Sequence, residues 1–518
     1  MPARPFPTRP PMPPTQSADV IIVGGGPAGL IAGIELGRRG VRAMVFDPSV
    51  TAPSFPKANA TTSRTMEHYR RLGFVREIRE LGLPLDYPQD ISYLTRLTKY
   101  ELARLKGLSR RQAMTVREGA HSRWPTPEPL HRTQQMYIEG VMRREVARYP
   151  SITTQFGWRV TKVEQDDATV TVEALEVASN RTAKFTARYV VGCEGARSVV
   201  REAMGVQYEG IASEERDFLG GRMLAVYIKA PAFYDVVCTP PAWLYYSNNR
   251  ERRGVYGAID GQDLFVAHFQ LAKGARGSLE FANSALAQSM GCEWPYQIIG
   301  MEEWTAGFTL VAERFRVGRA FVVGDAAHLF TPTGGQGYNT SVDDASNLGW
   351  KLAAVCQGWG DARLLDSYEA ERQPIARRNT TFARAMADSI GRTVIPANIE
   401  DDTAAGQATR KAFGEQLINH SRTEFDIPGI HFGMFYGSSP VIAGDGSPPP
   451  LDRWNEYVPN ATPGARAPHV WLDQETALFD RFGRDFTLLR FGSGSRTDTQ
   501  ALEAAAARRG VALAVVDI

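Results

Sequence analysis

Residues 18–29 read A-D-V-I-I-V-G-G-G-P-A-G, and the chain continues through LIAGIELGRRG into VRAMVFD, which ends at Asp47. A short apolar run that stops at glycine is the pattern of a buried parallel strand. Residues 28–39 then carry helical character and 41–47 form a second strand, so about 30 residues make one strand–turn–helix–strand unit. Gly24, Gly26 and Gly29 stand in G-x-G-x-x-G spacing. The first permits a tight turn, the second lets backbone approach a pyrophosphate, and the third allows close packing of helix on strand. Pro27 and Ala28 sit between them at the start of the helix, whose N-terminus attracts phosphate charge. Gly33 and Gly37 keep one face of that helix small. Asp47, 23 residues past Gly24, is placed to bind ribose hydroxyls, and its charge favours an unphosphorylated ribose, as in FAD or NAD.

Two further stretches carry chemistry. The first is GRAFVVGDAAHLFTPTGGQGYN, residues 318–339. Asp325 falls at the carboxyl end of an expected strand, where ligands gather in open α/β sheets. Gly334, Gly335 and Gly337 offer backbone N–H groups just before a helix with apolar positions at 342, 345, 349 and 352. Such a helix start stabilises developing negative charge through its dipole and unpaired donors, and an anionic reduced isoalloxazine is a natural recipient. The second is YVVGCEGARSVVR, residues 189–201, a strand ending in Gly-Cys-Glu-Gly with Ser198 and Arg201 opening a helix. Taken alone, it reads as a strand-end turn with a surface arginine.

Composition bounds the rest. The chain has 518 residues, 59 basic against 57 acidic, with no run of five like charges. That balance argues against a nucleic-acid partner, which calls for a basic stripe. Four cysteines lie at least 45 residues apart, so neither a zinc site nor a dithiol motif is expected. The low count suits a reducing, cytoplasmic setting. Apolar runs are too short to span a membrane. Residues 1–17 hold seven prolines and no apolar core of a signal peptide, and are expected to form a disordered tail.

In this order and at these separations, the three motifs resemble the single-component flavin-dependent aromatic hydroxylases, over about residues 18–375. Residues 463–472 and 478–489 are similar to the thioredoxin-like tail of the phenol-hydroxylase branch. The resemblance implies an α/β fold in which a Rossmann-type FAD-binding domain (18–205 and 311–390) interleaves with a substrate-binding β-sheet domain. Residues 206–310 form that sheet, with further elements at about 85–125. A loop-rich linker (391–460) and a thioredoxin-like domain (461–518), short of its last strands, follow. It further implies cofactor contacts from Gly24, Gly26, Pro27, Ala28, Gly29 and Asp47. Arg64 is placed near the FAD phosphates, Gln135 near the flavin and Asp325 on the ribityl chain. Pro332 to Asn339, with Gly334, Gly335, Gln336 and Gly337, lie beside the reacting edge of the ring.

The implied reaction is hydroxylation of a phenolic or polycyclic aromatic compound by NAD(P)H and O₂ through a flavin C4a-hydroperoxide. A homodimer is compatible with it. There are departures from the family pattern. Glu194-Gly195 stands where Asp-Gly is usual, which loosens the link to nicotinamide nucleotide. Phe55-Pro56 stands where some members have His-Pro, and no cysteine follows Cys356, so the tail runs no dithiol chemistry.

The substrate wall is expected from residues 220–310. Tyr227, Trp243, Tyr245, Tyr246 and His268 are candidates, because aromatic side chains suit an aromatic ligand with a polar handle. Pro332, Gly334, Gly335, Tyr246 and His268 are the candidates for the reacting centre. Strand alternation splits the aromatic residues between two faces, and His268 between Ala267 and Phe269 equally suits a core position. Two other readings remain open: a related flavoprotein such as a dehydrogenase or halogenase, although W-x-W-x-I-P is absent, and a non-catalytic FAD-binding protein that sequesters a ligand.

Overall fold

In the computed structural model, which describes residues 15–116, 122–212, 216, 218–492 and 499–518, strand Thr15–Val23 lies at the centre of the first sheet. It pairs in parallel with Ala43–Asp47 on one side and Arg181–Gly192 on the other. Ile152–Phe156 and Ala320–Val322 extend the parallel set outward. Ile21, Ile22, Val190 and Val191 are fully buried, as near-continuous apolar strands covered on both faces must be. Each such side chain contributes about 1.5–3 kcal/mol on leaving water. The helix Pro27–Gly37 packs on this sheet, with Gln135–Val146 and Gln336–Cys356 against it.

The second sheet has seven strands, in the order Gln297–Ala306, Gly221–Lys229, Leu264–Gln270, Arg253–Ala258, Leu244–Asn248, Ile91–Leu94 and Glu101–Leu105. It is antiparallel except where Leu244–Asn248 runs parallel to Ile91–Leu94. Two of its strands therefore come from the chain segment that otherwise builds the first sheet. One face buries Phe233, Tyr245, Tyr256, Phe265 and Phe269.

Four expectations change. The first strand starts at Thr15 rather than Ala18, while residues 1–14 of the expected proline-rich tail lie outside the described residues. The helical stretch that the sequence suggests over 62–82 is divided into Ser63–Leu72 and Val75–Arg79, because Gly73 takes φ +95° and caps the first in a left-handed turn. The 206–310 segment also contains the helix Leu279–Met290, capped by Ser278. The stretch read as loop-rich holds a 22-residue helix, Ala404–Phe425, opened by Thr403 accepting from the Gly406 N–H. Gly414 lies within this helix. A Cβ there would sit 2.0 Å from the Leu102 carbonyl oxygen, so the glycine exists to let the helix cross an edge strand closely.

At the C-terminus, strands Phe486–Arg490 and Leu513–Asp517 pair in parallel, with helix Gln500–Arg508 between them in sequence. Ion pairs fasten the flanking segment to the first domain: Arg39 Nε with Asp485 at 2.7 Å and Arg70 Nε with Asp480 at 2.7 Å. Among the described residues, no helix is long and apolar enough to cross a membrane.

Candidate active site

One cavity of about 1170 Å³ runs from the Gly24 turn, past the Pro332–Gly337 loop, to the second sheet. At its first end the walls are mostly main chain. Gly24 takes φ +103°, with the Cys193 carbonyl oxygen 2.4 Å from where a Cβ would stand. A Cβ on Gly29 would meet the Gly24 carbonyl oxygen at 1.8 Å, so Gly29 packs under the turn and does not face the cavity. Gly26 differs, having nothing within 4 Å of its Cβ position. It caps the helix Pro27–Gly37 without a side-chain partner, leaving first-turn donors for a ligand. Asp47 closes this end, its carboxylate accepting from Gly25 N–H (2.7 Å) and Ser49 N–H (2.8 Å). An open glycine cradle, an uncapped helix start and a nearby carboxylate fit the pyrophosphate and ribose of FAD.

The middle of the cavity is the 325–339 loop. Asp325 projects into the cavity space, and the surrounding protein pushes its carboxyl up, as suits a group that shares hydrogen bonds with a ribityl chain. Its main-chain oxygen accepts from the Tyr208 hydroxyl at 2.5 Å, and Tyr208 in turn takes the Arg201 guanidinium (2.7 Å). The third motif thus braces the second, and its arginine is buried rather than on the surface. Ser198 caps the helix Val199–Ala203, and Glu194 supports that start by accepting from Ser198 Oγ (2.8 Å) and Val200 N–H (2.9 Å).

Gly334 and Gly335 both adopt left-handed φ, +68° and +63°. Their N–H groups are not free for a ligand, however. Gly334 donates to Glu424 Oε1 (2.9 Å) and Gly335 to the Pro332 carbonyl (3.1 Å). The donors left at this helix start are those of Gln336 and Gly337, which lie in its first turn without intrahelical partners. Pro332 lines the cavity beside them. Asn339 is a brace: its amide spans the Ala60 carbonyl (2.9 Å), the Thr62 N–H (2.9 Å) and the Thr65 hydroxyl (2.7 Å), holding residues 60–65 against the helix.

The sheet end is built by register. Ala225 pairs with His268, His268 with Val255, Val255 with Tyr246 and Tyr246 with Tyr93. Side chains directly opposite across strands share a face, so Tyr246 and His268 reach the cavity on one row. Tyr246 stacks on Tyr93 with centroids 4.8 Å apart. His268 stands edge-on to Trp304 (5.6 Å), its Nδ1 unpartnered, and burial pushes it down to about 4. A neutral imidazole of such low basicity is a poor proton acceptor at neutral pH. Trp243 lines the cavity too, with the Arg132 guanidinium 3.5 Å from its ring centroid.

Several expected residues are not brought to the cavity. Tyr245 points to the opposite face, where its hydroxyl accepts from Ala242 N–H (2.7 Å). Tyr227 shares a face with Ala225 but lies farther along the strand, packed against Phe55 at 6.1 Å. Arg64 bonds Glu67 (3.1 Å) and faces Asp343 (3.7 Å), away from the cavity lining. Gln135 does line it, its amide donating to Glu139 at 2.6 Å.

Sequence reasoning missed Arg132, Glu424 and His431, all of which line the cavity. Glu424 Oε2 is hydrogen-bonded to His420 Nε2 at 2.8 Å, and His420 Nδ1 to Ser389 Oγ at 3.0 Å. None of these residues belongs to a spaced motif. Glu424 lies on the helix read as a loop, so no periodicity pointed to it.

Comparison with known proteins agrees with this geometry. A family model described as an FAD binding domain matches residues 17–383. The FAD-dependent monooxygenase apdD of Emericella nidulans is 30% identical, covering 98% of this chain and 84% of that protein. The 2,4-dichlorophenol 6-monooxygenase of Cupriavidus pinatubonensis is 28% identical, covering 97% and 87%. Among solved structures, the rebeccamycin biosynthetic enzyme RebC with reduced flavin superposes with a TM-score of 0.86 at 30% identity, covering 97% of this chain and 91% of that one. The chain belongs to this FAD-binding family and is an FAD-dependent monooxygenase.

Proposed function

We propose that the protein hydroxylates a phenolic or polycyclic aromatic compound, with NAD(P)H as reductant and O₂ as oxygen source. The observation that carries this reading is the continuity of the cavity, which joins the Gly24–Ala28 cradle to the aromatic floor of the second sheet through the Pro332–Gly337 loop. Bound FAD supplies the redox and oxygen-activating chemistry. The chain's own part is to hold, orient and keep dry. Gly26, Asp47 and Asp325 anchor the cofactor, while Tyr246, Trp243 and His268 offer flat apolar surface to a planar ring. A phenol reacts better once it gives up its proton. Glu424 is the carboxylate positioned to take that proton, with His420 behind it to steady the charge.

A panel of mono- and polycyclic phenols, scored by stimulated NADH and NADPH oxidation and by product mass, tests the reading. The expected result is a product sixteen mass units heavier, labelled when the reaction runs under ¹⁸O₂. Nucleotide oxidation with no change in the aromatic compound, or label taken only from water, would overturn it.

A further inference from the structure

Arg132 brings a cation to the cavity with no carboxylate to balance it. Its guanidinium lies over the Trp243 ring, and its Nε is closed off from solvent without a hydrogen-bond acceptor. Of the carboxylates on the same cavity, Glu424 is committed to Gly334 and His420, and Glu139 to Gln135. Among the described residues none pairs with Arg132. The titratable neighbour that feels its charge, His431, is pushed down to about 3 by burial and by Arg132, and so stays neutral. Burial lowers Arg132 itself to about 9, which leaves it charged at neutral pH.

Holding a guanidinium out of water without an anion is costly. Stacking on an indole offsets part of that cost, yet it occupies only the face of the group. The edge, with its planar fork of N–H donors, remains available for a matching pair of oxygens. The phosphates of FAD belong at the glycine cradle, whereas Arg132 sits on Trp243, next to the floor strand Leu244–Asn248 of the second sheet.

We propose that Arg132, flattened against Trp243, is the docking point for an anionic oxygen carried by the aromatic substrate, either a carboxylate or an ionised ring hydroxyl. The substrate is then an acidic aromatic compound, whose anionic group fixes how the ring lies on the sheet floor. This rests on the aromatic-substrate reading of the cavity.

The test uses FAD-loaded protein and three probes of one shape: anthraquinone-2-carboxylate, its neutral carboxamide, and 2-hydroxyanthraquinone, each followed through flavin fluorescence or absorbance. Wild type is expected to bind the carboxylate about 10- to 100-fold more tightly than the amide, the range supported by charge-assisted hydrogen bonds. That preference should weaken with added salt, vanish in Arg132→Met and survive in part in Arg132→Lys. The phenolic probe reads the second source of charge: bound to wild type, it should ionise at lower pH than when bound to Arg132→Met. A gain with either acidic probe supports the docking point and identifies its preferred anion.

Equal affinity of wild type for carboxylate and amide, with no shift in the phenol, would overturn the proposal, as would failure of every probe to bind. A preference that persists in Arg132→Met would also overturn it, as would loss of FAD from both variants when wild type is indifferent to probe charge. The salt dependence of wild type needs no variant, so misfolding of Arg132→Met leaves the proposal open to refutation. Failure of the phenol panel would remove the activity and leave this binding result standing. Equal affinities would remove the docking point and leave the activity.

Discussion

At the Gly24 end of the cavity the groups offered to a ligand are mainly main-chain: an open glycine at 26 and an uncapped helix start, with Asp47 alongside. At the sheet end they are side chains, with Tyr246 and His268 set by strand register and Trp243, Arg132 and Glu424 brought in by other segments. On the proposed reading, the first arrangement suits phosphate and ribose, which FAD always presents alike. The second suits a substrate, and side chains there can be exchanged without disturbing the Gly24 turn. A division of labour follows, in which changes at the glycine end abolish the flavoprotein and changes at the sheet end alter turnover while FAD stays bound.

The largest effect is expected at Gly29. Valine there would place a Cβ against the Gly24 carbonyl oxygen, and overpacking of this kind costs roughly 3 kcal/mol. Gly29→Val should yield protein without bound flavin, measured by the absorbance ratio of flavin to protein; a fully yellow variant would break the comparison. Glu424→Gln comes next. It keeps an acceptor for the Gly334 N–H and removes the proton acceptor, so kcat for a phenolic substrate should fall by about 10²- to 10⁴-fold, with flavin content unchanged. A kcat within about threefold of wild type would assign Glu424 to loop support alone.

The smallest effect is expected at His268. Because burial pushes it down to about 4, the folded protein binds fewer protons there than the unfolded chain between about pH 6.5 and 4. The proton-linked cost of its burial is therefore absent above about pH 6.5 and reduces stability progressively as pH falls through that window. His268→Asn should lose less melting temperature between about pH 7 and pH 5 than wild type, and should change kcat by less than about threefold. A steeper acid loss in the variant, or a kcat collapse, would make this histidine a charged working group.

The same contrast explains what could be read from the chain. Glycines act through the Cβ they lack, so Gly24, Gly26 and Gly29 announce their turn by spacing alone, and Asp325 is fixed by its place at a strand end. The strands of the second sheet were visible as alternating runs, but which aromatic residue faces the cavity depends on how far along the sheet the cavity extends. Tyr227 and Tyr246 differ in nothing a sequence displays, yet only Tyr246 lines it. Asn339 lies inside the specific motif and proves to brace a neighbouring loop, since a motif marks a position and leaves its partner open. A glycine demanded by close packing, such as Gly414, looks in the sequence the same as one demanded by a turn. Arg132 and Glu424 reach the site only by tertiary folding and carry no local signal.

The division of labour is tested most directly by two equilibrium titrations on two variants. Apoprotein is titrated with FAD, and FAD-saturated protein with anthraquinone-2-carboxylate, for Asp325→Ala and Arg132→Met. Asp325→Ala should weaken FAD binding by about 10-fold or more and leave the affinity of the saturated protein for the carboxylate within about twofold of wild type. Arg132→Met should do the reverse. If each variant weakened both ligands alike, or if Arg132→Met weakened FAD while Asp325→Ala weakened the carboxylate, the assignment of the two ends would be contradicted.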